Sequence, residues 1–432
     1  MTDTALQVGF SRVDITPRES VPLGGMGNGH ARMPSYVHDP LYTTCIAFTD
    51  SEGSTALMYS SDLLSCSEEI AQQLRNAVKE EFGIPRENVV ICCTHTHSAP
   101  EQGNANFPSI GRYNEMYKLS LMAAARTALE DRKPAQMFIG RTCRTQYLNC
   151  VRHYTKDENG NWNGHKADAD PELQMLKITR EGGQDILLMN WQAHPCRGMK
   201  ISMKCISADY IGTTRSYIEK KTDCLFAFFQ GAAGNLGSNS KVQSEKLTND
   251  MDTYGALLGE RALEALKDMT PVAVGKVRGM IRPVTLTYDH SDDHMVPDAR
   301  IVAAYWRETN DRKATDMMAK PYNINSPYHA NAIIRRSNAP EGKDMDIGAI
   351  AVGDFAFTWS PYEMFCDNGA FVKEHSPFPA TFVLTCANGR NNYIVSKAAF
   401  DYGCYERDNR NFIRGTAEML ADNFVDILRE MR

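Results

Sequence analysis

The residues best equipped for chemistry are two histidines in the stretch CCTHTHSAP (92–100), which follows the apolar run NVVI (88–91). On an extended backbone residues two apart share a face, so His95 and His97 are expected to look the same way beyond the strand end. Three more apolar runs lead to a polar group in the same fashion. DILLMNW (185–191) precedes His194, FAFTW (355–359) precedes Glu363, and TFVLTC (381–386) precedes Tyr393. Two imidazoles and a carboxylate suit Zn²⁺, with a tyrosine oxygen as a fourth or distant fifth ligand. A metal so held, with one position open to water, points to hydrolysis at neutral pH. Spacing alone does not show that the four loops converge, and a lone histidine after a strand also serves simply to satisfy a hydrogen bond.

These groups need a scaffold that brings strand ends together. The stretch 68–82 (EEIAQQLRNAVKEEF) puts Ile70, Leu74, Ala77, Val78 and Phe82 on one helical stripe and stops at Gly83. Ser65 and Glu68 stand in capping-box spacing before it. Helical periodicity recurs over 116–129, 251–269 and 416–431. Between the helices lie short apolar runs at 56–60, 185–191, 224–229, 347–359 and 380–386. They are continuous rather than alternating, which predicts strands covered on both faces. The fold class read from this is α/β, with central mixed β-sheets covered by helices and the site at strand ends. One domain spanning 1–432 is expected, with the polar stretch 289–344 as an insertion or lid.

Composition narrows the partners. The 432 residues are 42% apolar and 23% charged with a net charge of -6, so no overall positive field gathers nucleic acid. No apolar run reaches the roughly 18 residues of a membrane span, and the N-terminus has no signal pattern. The 12 cysteines fall in no CxxC pair, which with 21 methionines suits a reducing cytoplasm. A cytoplasmic protein acting on a small-molecule amide or ester is the expectation, with oligomeric state left open.

Several segments together resemble the N-terminal catalytic domain of the neutral/alkaline non-lysosomal ceramidase family, especially its shorter bacterial members. They are VGFSRVDITP (8–17), PLGGMGNG (22–29), VHDPLYTTCIAF (37–48), ALMYSSDLL (56–64), THTHSAP, ISADYIG (206–212), QGAAGNLGSN (230–239), PYEMF and ANGRNNYIVSKAAFDYGCYE (387–406). The resemblance implies a zinc held by His95, His194, Glu363 and Tyr393. It implies His97 as an acid/base within reach of metal-bound water and Arg152 as an arginine facing the site. The backbone amides of 231–237 are candidate oxyanion donors.

The sequence departs from the family where ceramidases carry a serine in GNLSPN or GDVSPN. Here GNLGSN puts Gly237 at that place and Ser238 one residue later. Gly234, Asn235 and Ser238 are carried forward as substrate-binding candidates, with metal-activated water rather than a serine as the expected nucleophile. The family's additional C-terminal β domain has no counterpart here, so a soluble N-acyl compound is expected in place of ceramide. An esterase or lactonase on the same site is the first rival, and a non-catalytic binding protein of the same fold the second. HSDDH (290–294) has metal-like composition and is read as a solvated loop, while GGMGNGH (24–30) is read as glycines passing close to the site with Asn28 or His30 lining it.

Overall fold

The computed structural model describes residues 6–25, 31–103, 106–145, 148–156, 162–165, 167–238 and 250–432. Asn28, His30 and Asn239 lie outside the described residues. Two sheets face each other. The larger runs from one edge through Leu225–Gln230, Ile186–Trp191, Leu173–Arg180, Lys133–Thr142, Leu6–Asp14, Tyr42–Asp50 and Thr55–Ser61 to Val89–Cys93, with Thr270–Val272 added beside Lys133–Thr142. Both outermost pairs are parallel and the inner pairs antiparallel, so the sheet is mixed as expected. The smaller sheet orders Val277–Thr287, Gly342–Val352, Phe355–Trp359 and Ala380–Leu384, its last pair parallel.

The continuous apolar runs have the cause inferred for them. One face of each sheet meets the other sheet in a shared core that joins Val8, Phe48 and Phe229 to Ile350, Phe357 and Phe382. The opposite faces are covered by helices: Glu68–Phe82 and Pro108–Glu130 on one half of the large sheet, Tyr210–Thr222 and Met251–Ala265 on the other, and Thr416–Met431 on the small sheet. Phe357 sits in the middle, with Phe355 and Phe382 rings at 4.9 and 5.7 Å. Truncating such a residue to alanine costs about 3–5 kcal/mol.

Two helix boundaries differ from those expected. The cap of the first helix is Ser67, whose side chain accepts from Ile70 N, rather than Ser65. The helix read from Met116 begins a turn and more earlier, at Pro108, because a proline at the first helical position costs no hydrogen bond.

The 289–344 stretch leaves the small sheet between its paired strands Val277–Thr287 and Gly342–Val352 and makes three helices, Val296–Thr309, Arg312–Ala319 and Pro327–Ser337. They enclose a small core of their own around Val302, Ala319, Ala330 and Ile333. Buried Arg336 moors them, donating to the Asp408 and Arg410 carbonyls at 3.4 and 3.0 Å and to the Asp292 carboxylate at 2.5 Å.

The functional positions owe their convergence to the chain that follows Ala380–Leu384. Thr385 N donates to Gln230 O, Cys93 N to Cys386 O, and Asn388 N to Ile91 O, at 3.1, 3.1 and 2.9 Å. One segment thereby ties both outermost strands of the large sheet to the small sheet at their C-terminal ends. Cys386 and Asn388 adopt positive φ, 54° and 56°, to make that passage.

Candidate metal centre and cleft

Three imidazoles meet at this junction. The ring centroids of His95, His97 and His194 are 4.9–5.4 Å apart, and a ligating nitrogen of each lies within 4.8 Å of the others. Each Nδ1 faces a backbone carbonyl: Leu64 O at 2.8 Å for His95, Gly25 O at 2.8 Å for His97, and Ala233 O at 2.9 Å for His194. A carbonyl only accepts, so each Nδ1 carries the proton and each Nε2 is left as a bare lone pair. Among the described residues, all three Nε2 atoms are buried without a hydrogen-bond partner. Pinning Nδ1–H to a carbonyl fixes both tautomer and orientation, which is how metal-binding histidines are commonly held.

Glu363 brings a fourth acceptor to the same point. Its Oε2 is 3.1 Å from His194 Nε2 and 3.4 Å from His95 Nε2, and among the described residues it too is buried without a hydrogen-bond partner. Ligand bonds of about 2.0–2.1 Å in a tetrahedral arrangement put ligand atoms about 3.3–3.4 Å apart, so the spacing fits a zinc-sized ion. His97 makes no such approach to Glu363 within 4.0 Å and stands one step back. Buried acceptors facing one another are costly unless a cation or a proton satisfies them. When no cation is bound a proton does this: against its burial, Cys386 and Glu363 push His95 well up, and the proton it then holds, with His194 beside it, keeps the Glu363 carboxyl well below the usual range against the effect of burial. Burial, with Arg152 next in effect, pulls His194 down to about 4, and burial with the two neighbouring rings holds His97 well below an ordinary histidine.

Local backbone explains why these residues face inward. His95 has φ 68°, so the chain turns sharply at the strand end and still presents His95 and His97 to one point. That strain is held by Thr94 N to Ser61 O and His95 N to Leu63 O, at 2.8 and 2.9 Å. Gly25, at φ 89°, lies so close to His97 that an added Cβ would be 2.5 Å from its Nδ1. The glycine-rich 24–30 segment thus does bring backbone against the site through Gly25.

Tyr393 pairs in register with Glu363 in a short parallel bridge and lines the same cleft. Burial and the Glu363 charge push its phenol pKa well up, with Arg152 pulling the other way. The Arg152 guanidinium lies 5.8 Å from the Tyr393 ring centroid and pairs with buried Glu406, whose other oxygen takes His153 Nε2. Its charge is compensated, so the structure gives Arg152 a place beside Tyr393 rather than a free guanidinium toward a substrate.

The three substrate-binding candidates sit elsewhere in the architecture. Gly234 N donates to Met364 O at 2.8 Å, and a Cβ there would be 2.5 Å from Glu363 O. Asn235 Oδ1 accepts from Cys366 N at 2.9 Å. Ser238 is buried in the short ladder opposite Asn149, its hydroxyl unpartnered among the described residues. None of the three lines the cleft. The amides of Gly231, Gly234 and Leu236 are already bonded to Trp191, Met364 and Ala233 carbonyls, which removes them as oxyanion donors. The segment 231–238 supports Glu363 and His194 from behind, because close packing of its backbone needs glycine there.

The cleft holds about 300 Å³ and opens over His95, His97, Glu363 and Tyr393. Its rim is polar, with Glu101 paired to Arg390 and with Arg335, Asn391, Asn392 and Asn409. Sequence reasoning missed Glu406, His153 and Arg335. Glu406 closes the stretch 387–406, yet nothing in its neighbours marks it as buried. Arg335 comes from the insertion, so 289–344 supplies one wall of the cleft. A larger cavity, about 690 Å³, includes Asp292, His294, His329 and Arg410 and none of the candidate ligands. In HSDDH, His290 pairs locally with Asp293 at 3.0 Å.

Known proteins share sequence features and the fold with this chain. Residues 6–245, more than half of the chain, match the family described as neutral/alkaline non-lysosomal ceramidase, N-terminal. Neutral ceramidase A of Dictyostelium discoideum is 22% identical over 262 residues, 55% of this chain and 37% of that protein. The chain thus spans well under half the length of this curated relative. The crystal structure of neutral ceramidase from Pseudomonas aeruginosa has the same fold, with a TM-score of 0.71 and 15% identity over 99% of this chain and 74% of the other. A structure of ceramidase complexed with C2 agrees equally, at 0.71 and 15%, over 99% of this chain and 76% of the other. By fold and by family match, the chain belongs to the neutral/alkaline non-lysosomal ceramidase family.

Proposed function

We propose that this protein is a zinc-dependent hydrolase that cleaves the C–N bond of an amide. The observation that carries the reading is the set of three buried, bare Nε2 atoms and the Glu363 oxygen around one point. His95, His194 and Glu363 hold the ion, with the Tyr393 oxygen as the fourth ligand. Zn²⁺ bound there supplies Lewis acidity and lowers the pKa of water to about 7. His97, kept neutral with Nδ1–H on Gly25, takes a proton at Nε2 and returns it to the leaving amine. Arg152, anchored by Glu406, holds the Tyr393 ring in place and favours its ionised form.

The relatives are named as ceramidases, and an amide is the chemistry such a name supports for this chain. The polar rim of the cleft fits a soluble amide better than a lipid with long hydrocarbon chains, which needs an apolar groove. The 289–344 helices act as a moored wall of this cleft rather than as a swinging lid, since Arg336 ties them to the Asp408 and Arg410 carbonyls. The test is turnover of matched soluble amides and esters by protein stripped of metal and then reloaded with zinc. Amide cleavage that appears with zinc and vanishes on chelation supports the reading. Zinc-loaded protein that cleaves esters alone, or nothing, overturns it.

A further inference from the structure

One charge in the cleft wall has no counter-charge among the described residues. Arg335 stands near the end of the insertion helix Pro327–Ser337, is exposed, and lines the cleft with the candidate ligands. Its Nε donates to Asn411 Oδ1 and its Nη2 to the Asn409 carbonyl, both at 3.0 Å. Both acceptors are neutral, and among the described residues Nη1 has no hydrogen-bond partner. Among the described residues no carboxylate lies within 4.0 Å of this guanidinium. The other charged side chains of the cleft are accounted for: Arg390 pairs with Glu101, and Glu363 belongs to the candidate ligand set with His95 and His194. The two hydrogen bonds fix a side chain that would otherwise sample many rotamers, so little entropy remains to be lost on binding.

A guanidinium held in place beside a cleft, with free N–H groups, recognises planar oxyanions, above all a carboxylate. We infer that Arg335 is a specificity residue that binds a carboxylate on the substrate, so that the amides taken here are anionic ones such as N-acyl amino acids. The word substrate rests on the hydrolytic reading above, whereas the binding preference does not. Arg335 touches no candidate ligand and is no catalytic residue. The insertion that delivers it is the element that sets which amide enters.

The experiment separates the two claims. N-acetylalanine and its uncharged analogue N-acetylalaninamide are titrated by calorimetry into the full chain after chelation, so that no metal can capture the carboxylate. The acid is expected to bind about tenfold more tightly, the scale of one charge-assisted hydrogen bond. Arg335→Gln is expected to bring the ratio of the two affinities close to one, with Arg335→Lys keeping part of it. Equal affinities in wild type, or a preference that survives Arg335→Gln in folded protein, overturns the inference. Should the variant fail to fold, wild type decides: the preference must shrink as salt rises from low ionic strength to about 1 M, and a salt-independent preference overturns it. The ratio of kcat/KM for the two probes in zinc-loaded protein must follow the binding ratio. Absence of turnover with the binding preference intact overturns the hydrolase reading and supports the carboxylate site.

Discussion

Among the described residues, two clusters gather metal-ligating side chains within 4.8 Å of one another, His95–His97–His194, with Glu363 beside it, and His153–Cys404–Glu406. By composition the Cys404 cluster is equally ready for a metal. Hydrogen bonding separates them. In the first, three Nε2 atoms and one carboxylate oxygen are buried and unpartnered. In the other, Glu406 spends one oxygen on Arg152 and one on His153, and the Cys404 sulfur accepts from Arg407 N at 3.4 Å. Burial first, and Glu406 next, push the Cys404 thiol up to about 12, so it is not a thiolate at neutral pH. A metal site is recognised by lone pairs left over after the protein has satisfied itself, and residue types crowded together do not make one.

The sharpest way to break this contrast is to remove one ligand from the first cluster. His95→Ala is expected to take zinc from about one ion per chain to a small fraction, and turnover down on the order of 1,000-fold or more. Elemental analysis beside kinetics reads both, and circular dichroism checks that the fold survives loss of the Nδ1–H bond to Leu64 O. Full metal content in His95→Ala sinks the assignment.

The next effect belongs to the Cys404 cluster and is one of stability. Glu406→Gln leaves Arg152 without its counter-charge in a largely buried setting, a loss of about 3–5 kcal/mol in denaturant unfolding. Zinc content should stay as in wild type. Burial disfavours the ionised Glu406 carboxyl, but Arg152 and then His153 outweigh it and hold the pKa at about 2. A carboxyl depressed in the folded state stabilises fully above its unfolded value, about 4.5, and loses that contribution as pH falls toward about 2. The gap between wild type and variant should therefore be widest at neutral pH and narrow across that window. A gap that widens on acidification means Glu406 is not the ionised partner of Arg152.

Tyr393→Phe probes the link between the clusters, since the ring lies between Arg152 and Glu363. Losing the phenol oxygen is expected to cost about 10–100-fold in activity, with most of the zinc retained on His95, His194 and Glu363. Loss of all zinc in this variant would rank the phenol above the imidazoles as a ligand.

The same contrast marks what a sequence can and cannot convey. The four strand-end groups were legible because each follows an apolar run that only a doubly covered strand explains, and the two-sheet core supplies that cover. His97 was legible as sharing a face with His95, although the strain at His95 was not, since no residue type announces φ 68°. Arg152 was found through resemblance, and its partner Glu406 was missed because the pair is separated by 254 residues and its burial is a tertiary fact. Gly234, Asn235 and Ser238 were singled out by motif and proved to back the site from behind, their polar groups turned to Met364, Cys366 and the ladder at Asn149. A glycine-rich loop reads alike whether its amides face a substrate or its own neighbours. The insertion was visible as a polar stretch, yet that its residue 335 reaches the cleft follows only from how Arg336 moors the helix.

The smallest expected effect sits at Cys404. Its sulfur accepts from Arg407 N and its thiol lies against the Glu406 carboxylate, while the short helix Tyr405–Asp408 that it caps is also fastened by the Arg152 and His153 bonds to Glu406. Cys404→Ala should lower stability by about 1 kcal/mol, the loss of one weak cap, and leave zinc content and turnover as in wild type. If this cluster were a metal site, its thiol would be the strongest zinc ligand in it, and the same substitution would release metal. Differential scanning calorimetry and elemental analysis on this one variant therefore set the two clusters against each other: a stability change without metal loss keeps the distinction drawn from hydrogen bonds, and metal loss erases it.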